Sequence, residues 1–247
     1  MTDWKKIIDR LLNDSMVSSE YHDYMFVPAM VFNETVSALR EQSNIQKESE
    51  GAMKMEEKDK MVASFKVMCD IGGFKIEDRF LNWLDRNGFF DAPASTKYHC
   101  NYPGGLYDHS SAVYLRLKKL TEDNRLTWQR PESPFIIGMF HDLCKIDQYK
   151  IKDEVIKMQE DYPDLAHDIP IEYEYNNNVL LKGHGSKSVM VLSQFIPLTE
   201  EEMLCIRYHM GAYETDDWSE FDRAIKKYPN VLWTHQADML ASKVDDK

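Results

Sequence analysis

Residues 135–145 read FIIGMFHDLCK. An uncharged apolar run, 135–140, is followed directly by the ionisable pair His141 and Asp142. Pro134 stands directly before the run, and proline is favoured in the first turn of a helix, so we predict an apolar helix from Phe135 to about Lys145. His141 and Asp142 follow this interior-type segment. Either they form a helix end with a solvated carboxylate, or they are buried beside a metal ion that compensates their desolvation.

Helical signals also dominate the chain on both sides of this stretch. Phe80, Leu81 and Leu84 share one face of residues 76–88, which end at Gly88, a residue suited to a helix C-terminus. Apolar stripes and caps predict further helices from near Leu106, from a capping box at Thr199–Glu202 to Met210, and over about 230–243.

One segment departs from the helical pattern. Residues 171–182 contain IEYEY and VLLK on either side of three consecutive asparagines, 176–178. Aromatic and β-branched residues that flank an asparagine-rich turn are typical of a β-hairpin. The sequence therefore predicts an all-α fold with one small β-hairpin insertion.

The beginning of the chain differs in composition from the remainder. Residues 41–60 (EQSNIQKESEGAMKMEEKDK) are almost wholly polar, without periodic apolar positions until Met61, which indicates a solvated helix or a mobile connection. Residues 1–40 resemble two helices, and Trp4, Ile7 and Leu11 recur at helical spacing in the first. We therefore predict a helical N-terminal extension of unknown role over residues 1–60.

Composition narrows the classes of partner. The chain has 247 residues, 43% of them hydrophobic, and a formal net charge of −12, which disfavours non-specific binding of nucleic acid. A small anionic substrate is still compatible with this charge, because bound divalent metals can reverse the field within a cleft. Four cysteines without a CxxC pair, and no apolar run of about 18 residues, predict a cytoplasmic protein that does not enter membranes. The oligomeric state is left open.

Four further residues are candidates for the same site as His141 and Asp142. His109 lies on an apolar helical stripe, His184 stands between two glycines, His209 closes the helix that begins after Thr199, and Asp238 is flanked by apolar residues. Each histidine has a structural alternative. His109 can be a hydrogen-bonded core histidine, His184 a turn residue, and His209 a cation at a helix C-terminus. For Asp238, burial without a partner would be costly.

The order H…HD…H…H…D over consecutive helices resembles the HD superfamily of metal-dependent phosphohydrolases. The resemblance covers roughly residues 75–245 and includes the segments APASTKYH (92–99), YPGGLYDH (102–109), HDLCK (141–145) and ADMLAS (237–242). It implies the HD helical core and assigns residues 61–247 to the HD phosphohydrolase domain.

The resemblance also implies a set of ligands. His109, His141, Asp142 and Asp238 match the ligands shared across the family, and Asp142 would bridge two metals. His184 and His209 match the additional histidines of its two-metal members. Lys145 matches a phosphate-contacting cation. The family usually has glycine at the position of Cys144, which is a soft ligand or a packing residue here.

The implied activity is hydrolysis of a phosphoester, in a nucleotide or another small phosphorylated substrate, by a hydroxide that bridges the metals. Mixed histidine and carboxylate ligands favour one or two divalent transition metals (Fe, Mn, Co, Ni or Zn) over Mg. Asp142 and Lys145 are the expected catalytic residues. Tyr98, His99 and Arg207, together with Lys145, are candidates for contact with the substrate, although the first three have structural alternatives.

Three other activities are compatible with the same residues. HD-type 3′-to-5′ exonucleases resemble the YPGGL region, but they carry a separate nucleic-acid-binding module where this chain has 60 polar, non-basic residues. A minority of two-metal members are di-iron oxygenases. The third alternative is a nucleotide-binding module that keeps the metal site without turnover.

Overall fold

The computed structural model describes residues 50–163, 166, 168–211 and 218–245. The two helices predicted within residues 1–40 lie outside these ranges, as does most of the polar segment 41–60. From Glu50 onward that segment belongs to a helix that continues without a break past residue 61.

The described ranges contain nine α-helices and one small antiparallel sheet, which confirms the predicted all-α class. The helices are α1 (Glu50–Ile71), α2 (Asp78–Arg86), α3 (Gly105–Asn124), α4 (Ser133–Phe140), α5 (Asp153–Asp161), α6 (Gly185–Leu192), α7 (Glu200–Arg207), α8 (Trp218–Lys227) and α9 (Asn230–Leu240). A 3-10 helix spans Leu143–Ile146, and a π-helical turn, Ala241–Asp245, follows α9.

The strands of the sheet pair differently from the predicted hairpin. Strand β2 (Tyr173–Tyr175) lies where the sequence indicated, but its antiparallel partner is β1 (Tyr149–Ile151) and not residues 179–182. The asparagine segment closes back on the chain before β1, since the Asn176 N–H donates to the Gln148 carbonyl at 2.9 Å. Leu180, at 98% exposed, has no apolar surface to pack against. Pairing with β1 instead brings the Tyr149 and Tyr175 rings within 5.2 Å.

Three helices end earlier than predicted. The apolar helix α4 stops at Phe140 instead of continuing to Lys145, because the backbone of Asp142 (φ −103°, ψ 20°) leaves the helical region. Helix α7 stops at Arg207 instead of Met210, and α9 gives way to the π-helical turn after Leu240. His141 and His209 consequently lie just beyond helix ends.

The core is aromatic and joins α1 to the elements that carry the site. Phe65 of α1 packs against the rings of Phe89, Phe90, Tyr107 and Phe140 with centroids 5.6–6.4 Å apart. Buried aromatic residues of this kind contribute strongly to stability because each removes a large apolar area from water. In the described ranges, no helix combines the length and the apolarity needed to span a bilayer.

Gly104 and Gly105 determine where α3 begins. Gly104 adopts φ +84°, a left-handed conformation that side chains disfavour. A Cβ on Gly105 would lie 2.0 Å from the Cys100 carbonyl oxygen, so only glycine permits this approach. The helix therefore starts one turn before His109 and directs that side chain into the interior, where it is buried.

Candidate metal centre

Asp142 is the central residue of a buried cluster of histidines and carboxylates. It lies in the turn between α4 and the 3-10 helix, and its side chain is almost wholly buried. Its two carboxylate oxygens face different sets of side chains. The cluster therefore has an Oδ2 side and an Oδ1 side that share this one residue.

The Oδ2 side combines residues from α3, α4 and α9. The Nε2 atoms of His109 and His141 lie 3.4 and 3.3 Å from Oδ2 of Asp142. Oδ1 of Asp238 lies 3.2 Å from Nε2 of His109 and 3.8 Å from Nε2 of His141. Two carboxylates and two imidazoles thus converge on one small volume.

The Oδ1 side is formed by the two remaining predicted histidines. Nε2 of His184, directly before α6, lies 2.8 Å from Oδ1 of Asp142, and Nε2 of His209, beyond the end of α7, lies 3.3 Å from it. All six side chains predicted as metal ligands are therefore brought together around Asp142. Their role as ligands stays a prediction.

Main-chain carbonyls orient two of these imidazoles. Nδ1 of His141 donates to the Gly138 carbonyl at 2.8 Å, and Nδ1 of His209 donates to the Ile206 carbonyl at 2.7 Å. A carbonyl oxygen only accepts, so the proton is on Nδ1 and the lone pair of Nε2 faces the cluster. A hydrogen bond from the second ring nitrogen to a carbonyl is typical of metal-ligating histidines.

Three polar atoms of the cluster are buried without a hydrogen-bond partner in the described structure: Oδ1 of Asp142, Nε2 of His184 and Nε2 of His209. Nε2 of each histidine lies within 3.3 Å of Oδ1, yet the three atoms are not aligned to form hydrogen bonds. Burying such atoms is costly unless a ligand satisfies them. A cation bound among them would do so.

The donor set could hold a metal ion. Ligand atoms of His109, His141 and Asp142 all lie within 4.8 Å of one another, and so do those of Asp142, Cys144 and His184. Nitrogen donors beside carboxylate oxygens suit a transition metal better than Mg²⁺ or Ca²⁺.

The charges of the cluster also favour a cation. Burial alone would raise the pKa of Asp142, but the Lys145 ammonium and the neighbouring histidines hold that pKa well below its ordinary value. Burial likewise opposes ionisation of Asp238, whose pKa is nevertheless lowered by His109. Both carboxylates are therefore ionised. Lys145 supplies one compensating charge, so the carboxylates and this lysine together leave one negative charge.

The pKa values of His141 and His109 shift in opposite directions. Burial lowers the pKa of His141. Burial would also lower that of His109, but the nearby Asp142 and Asp238 raise it above its ordinary value. A metal bound by His109 must displace a proton, because a ligand nitrogen has to be unprotonated.

Lys145 is buried, which rules out the surface-lysine alternative. Its side chain extends from the 3-10 helix, and Nζ lies 2.6 Å from Oδ2 of Asp142 with only 5% of the residue exposed. Burial would lower the pKa of Lys145, but Asp142 raises it, so the side chain is an ammonium ion. A buried cation therefore lies beside the predicted bridging ligand.

His99 lies next to the cluster, and Tyr98 is the residue before it in the chain. The His99 ring lies 4.7 Å from that of His109, and both of its nitrogens are buried without a partner in the described structure. Burial, and then the charges on His109 and Lys145, lower the pKa of His99 to about 4, so its ring is neutral. Tyr98 is 77% exposed, and the Lys243 ammonium lies 5.9 Å from its ring centroid.

Arg207 has a different environment from the other predicted substrate contacts. Its guanidinium lies over the Tyr208 ring at 5.1 Å and 3.5 Å from the Glu220 carboxylate. Neither Tyr208 nor Glu220 belongs to the cluster. The observed contacts of Arg207 are therefore those of its structural alternative, and its contact with a substrate stays a prediction.

Three further residues, Ser188, Cys144 and His235, support the cluster, and of these the sequence indicated no role for Ser188. Ser188 of α6 accepts the Cys144 N–H at 3.0 Å, and no sequence signal distinguishes this serine from others on a helix. Cys144, treated above as a ligand or a packing residue, places its sulfur 3.6 Å from Nδ1 of His184. His235 donates from Nδ1 to the His209 carbonyl at 2.7 Å, and it therefore supports the backbone of that residue.

The sequence matches no family model, and comparisons with curated proteins and with solved structures gave no match. Sequence and structure together establish a helical protein with a buried cluster of histidine, aspartate and cysteine that could hold a metal ion, an arrangement compatible with an HD-like site.

Proposed function

We propose that this chain is a metal-dependent phosphohydrolase of the HD type that acts on a nucleotide or another small phosphorylated substrate. The observation that carries the proposal is the shared carboxylate of Asp142, with two histidines on each side of it and three unsatisfied polar atoms at the centre. This arrangement is suited to two ions held by one bridging group.

Each side of the cluster has its own ligands in this proposal. His109, His141 and Asp238 would hold one ion together with Oδ2 of Asp142, and His184 and His209 would hold the other with Oδ1. Bound divalent metals would neutralise the phosphate oxygens and lower the pKa of a coordinated water. Neutral imidazoles add no negative charge, so the loaded site would attract an anionic phosphate.

Lys145 would stabilise the charge that develops on the phosphoryl group. Its ammonium is buried beside Asp142, where a fixed charge acts through a lower dielectric than water. Because Asp142 holds Nζ at 2.6 Å, the cation is already in place before substrate arrives and needs little reorganisation.

His99 and Tyr98 support an aromatic, hydrogen-bonding substrate such as a nucleotide. The unpartnered ring nitrogens of His99 offer one donor and one acceptor beside His109. The exposed ring of the adjacent Tyr98 can stack on a nucleobase, an interaction worth about 1–3 kcal/mol per base.

Asp142→Asn tests the proposal most directly. The amide keeps the shape of the side chain but removes the charge that both ions would share. We expect the wild type, purified without added metal, to contain transition metal and to release phosphate from members of a nucleotide panel. Asp142→Asn should lose most of the metal and all measurable turnover.

Asp153→Asn is the matched control, since Asp153 is an exposed residue that pairs with Lys150 at the start of α5. This variant should keep wild-type metal content and rate. Wild-type metal content and phosphate release in Asp142→Asn would sink the bridging role and the proposed function with it.

A further inference from the structure

His184 cannot be oriented in the way that His141 and His209 are. Those two follow helix ends, where unpaired carbonyls three residues earlier accept their Nδ1 protons. His184 instead precedes α6, at its N-cap position, with φ −100° and ψ −85°. The free groups at a helix N-terminus are N–H donors, so no helical carbonyl is available to accept from its ring.

Cys144 supplies the partner that the backbone does not. Its sulfur lies 3.6 Å from Nδ1 of His184, across 40 residues of sequence. The side chain is a fully buried free thiol. A thiol sulfur is a weak acceptor of hydrogen bonds, so it can accept one from Nδ1–H of the imidazole.

A short chain of hydrogen bonds holds the sulfur in this place. The Cys144 N–H donates to the Ser188 hydroxyl at 3.0 Å, and the Ser188 N–H donates to the His184 carbonyl at 3.1 Å. The 3-10 helix and the first turn of α6 are thereby tied together. The distance between the thiol and the imidazole is consequently set by these two hydrogen bonds.

The two nitrogens of His184 face different groups. Nδ1 faces the sulfur of Cys144, whereas Nε2 lies 2.8 Å from Oδ1 of Asp142. The lone-pair directions of the two nitrogens diverge, so the contact of Nδ1 with the sulfur and an ion bound at Nε2 beside Asp142 lie on different edges of the ring. This geometry favours an orienting thiol over a ligating thiolate.

We propose that Cys144 is a positioning residue of the metal centre, whose sulfur accepts the Nδ1 proton of His184 and so presents the Nε2 lone pair to the ion held by Oδ1 of Asp142. The inference rests on the proposed metal-dependent function. Glycine, the usual residue at this position in the family that the chain resembles, has no side chain that could do this.

Histidine tautomers in the metal-free protein provide the first test. Long-range proton–nitrogen NMR spectra should show His184 protonated at Nδ1 in the wild type and a mixture of tautomers in Cys144→Ala. Cys144→Ser retains an acceptor and should restore the wild-type pattern. The signals of His141 and His209, whose carbonyl partners are unchanged, serve as internal references.

Metal affinity provides the second test. In a titration with Co²⁺, Cys144→Ala should lower the affinity for the ion at His184 by roughly 10–100-fold, as loss of a ligand's hydrogen-bond partner typically does. The affinity for the other ion should not change. Cys144→Ser should recover part of the loss. Cys69→Ala, which removes another buried thiol from α1, is the matched control and should bind as the wild type does.

Two results would overturn the proposal. One is an unchanged tautomer and an unchanged Co²⁺ affinity in Cys144→Ala. The other is a sulfur-to-cobalt charge-transfer band in the wild type that disappears in Cys144→Ala, because Cys144 would then be a ligand. If the wild type binds no divalent ion at all, the proposed function fails, and the metal-free NMR spectra alone decide whether Cys144 orients His184.

Discussion

Lys145 shows how one buried charge can change the interpretation of a residue. The sequence left two possibilities, a phosphate-contacting cation and a solvated lysine near a helix end. The structure buries the side chain against Asp142, at 2.6 Å, in a 3-10 helix that begins after that aspartate. Burying an ammonium is costly unless a counter-charge compensates it, and Asp142 supplies that charge, so the cation is held beside the cluster.

Lys145→Ala should lower kcat on a phosphoester by roughly 10²-fold or more, about 2.7 kcal/mol, because the variant loses a cation aimed at the developing charge. Metal content should stay at the wild-type level, since Lys145 is not a ligand. Steady-state kinetics together with metal analysis check both statements.

Lys150→Ala, which removes a partly exposed lysine from β1, should keep the wild-type rate. An unchanged kcat in fully metallated Lys145→Ala would remove Lys145 from the reaction, and it would shift attention to the oxygenase alternative.

At the scale of elements, the capping box of α7 does more than begin a helix. The Thr199 hydroxyl and the Glu202 carboxylate satisfy each other's backbone N–H groups, as the sequence predicts. The buried Glu202 carboxylate also accepts hydrogen bonds from Arg130 at 2.7 Å and from the Ser133 hydroxyl at 2.8 Å. The start of α7 is thus joined to the start of α4, and these two helices lead to His209 and His141.

Gly138→Ala should destabilise the protein by about 1–3 kcal/mol, because the new Cβ would lie 2.4 Å from Cα of Tyr114 and force α4 away from α3. Helix propensity alone predicts the opposite sign, a gain of about 1 kcal/mol. The displaced helix would also carry His141 and Asp142 out of position, so metal affinity should fall although no ligand has changed. Urea unfolding and metal titration measure the two effects.

Ser193→Ala is a suitable control for Gly138→Ala, since Ser193 is an exposed residue just past α6. Its effect should stay within about 0.5 kcal/mol. A stabilised Gly138→Ala protein with normal metal affinity would show that α3 and α4 can separate without cost.

For the whole molecule, the cluster joins distant parts of the chain. Its side chains come from α3, the turn after α4, the residue before α6, the turn after α7, and α9. An ion that binds this assembly, and does not bind the unfolded chain, stabilises the folded state in proportion to the logarithm of its concentration.

Chelation should therefore lower the Tm of the wild-type protein, and added metal should raise it again. At a free concentration of about 100 times Kd, the expected stabilisation is about 2.7 kcal/mol. Asp142→Asn should unfold at the same temperature with and without metal. Equal Tm values for the chelated and metal-loaded wild type would contradict a shared site for metal at the centre of the fold. Scanning calorimetry makes the comparison.

The sequence by itself determined the helical class, the beginnings of α3 and α7, and the residue types that need compensation after an apolar run. These features are local: helical periodicity, capping pairs and glycine positions act over a few residues. The sequence also indicated the six side chains that form the cluster, through their order along the chain and a family resemblance.

Tertiary structure alone decided the partner of β2, the ends of α4 and α7, the burial of Lys145 and the contact between Cys144 and His184. Each depends on groups far apart in sequence, such as the 40 residues between that thiol and its imidazole. Such contacts form only when helices pack, because packing sets which atoms share a site and which lose water. Asp142 was identifiable as a candidate ligand, but its two oxygens acquired separate partners only in the folded chain.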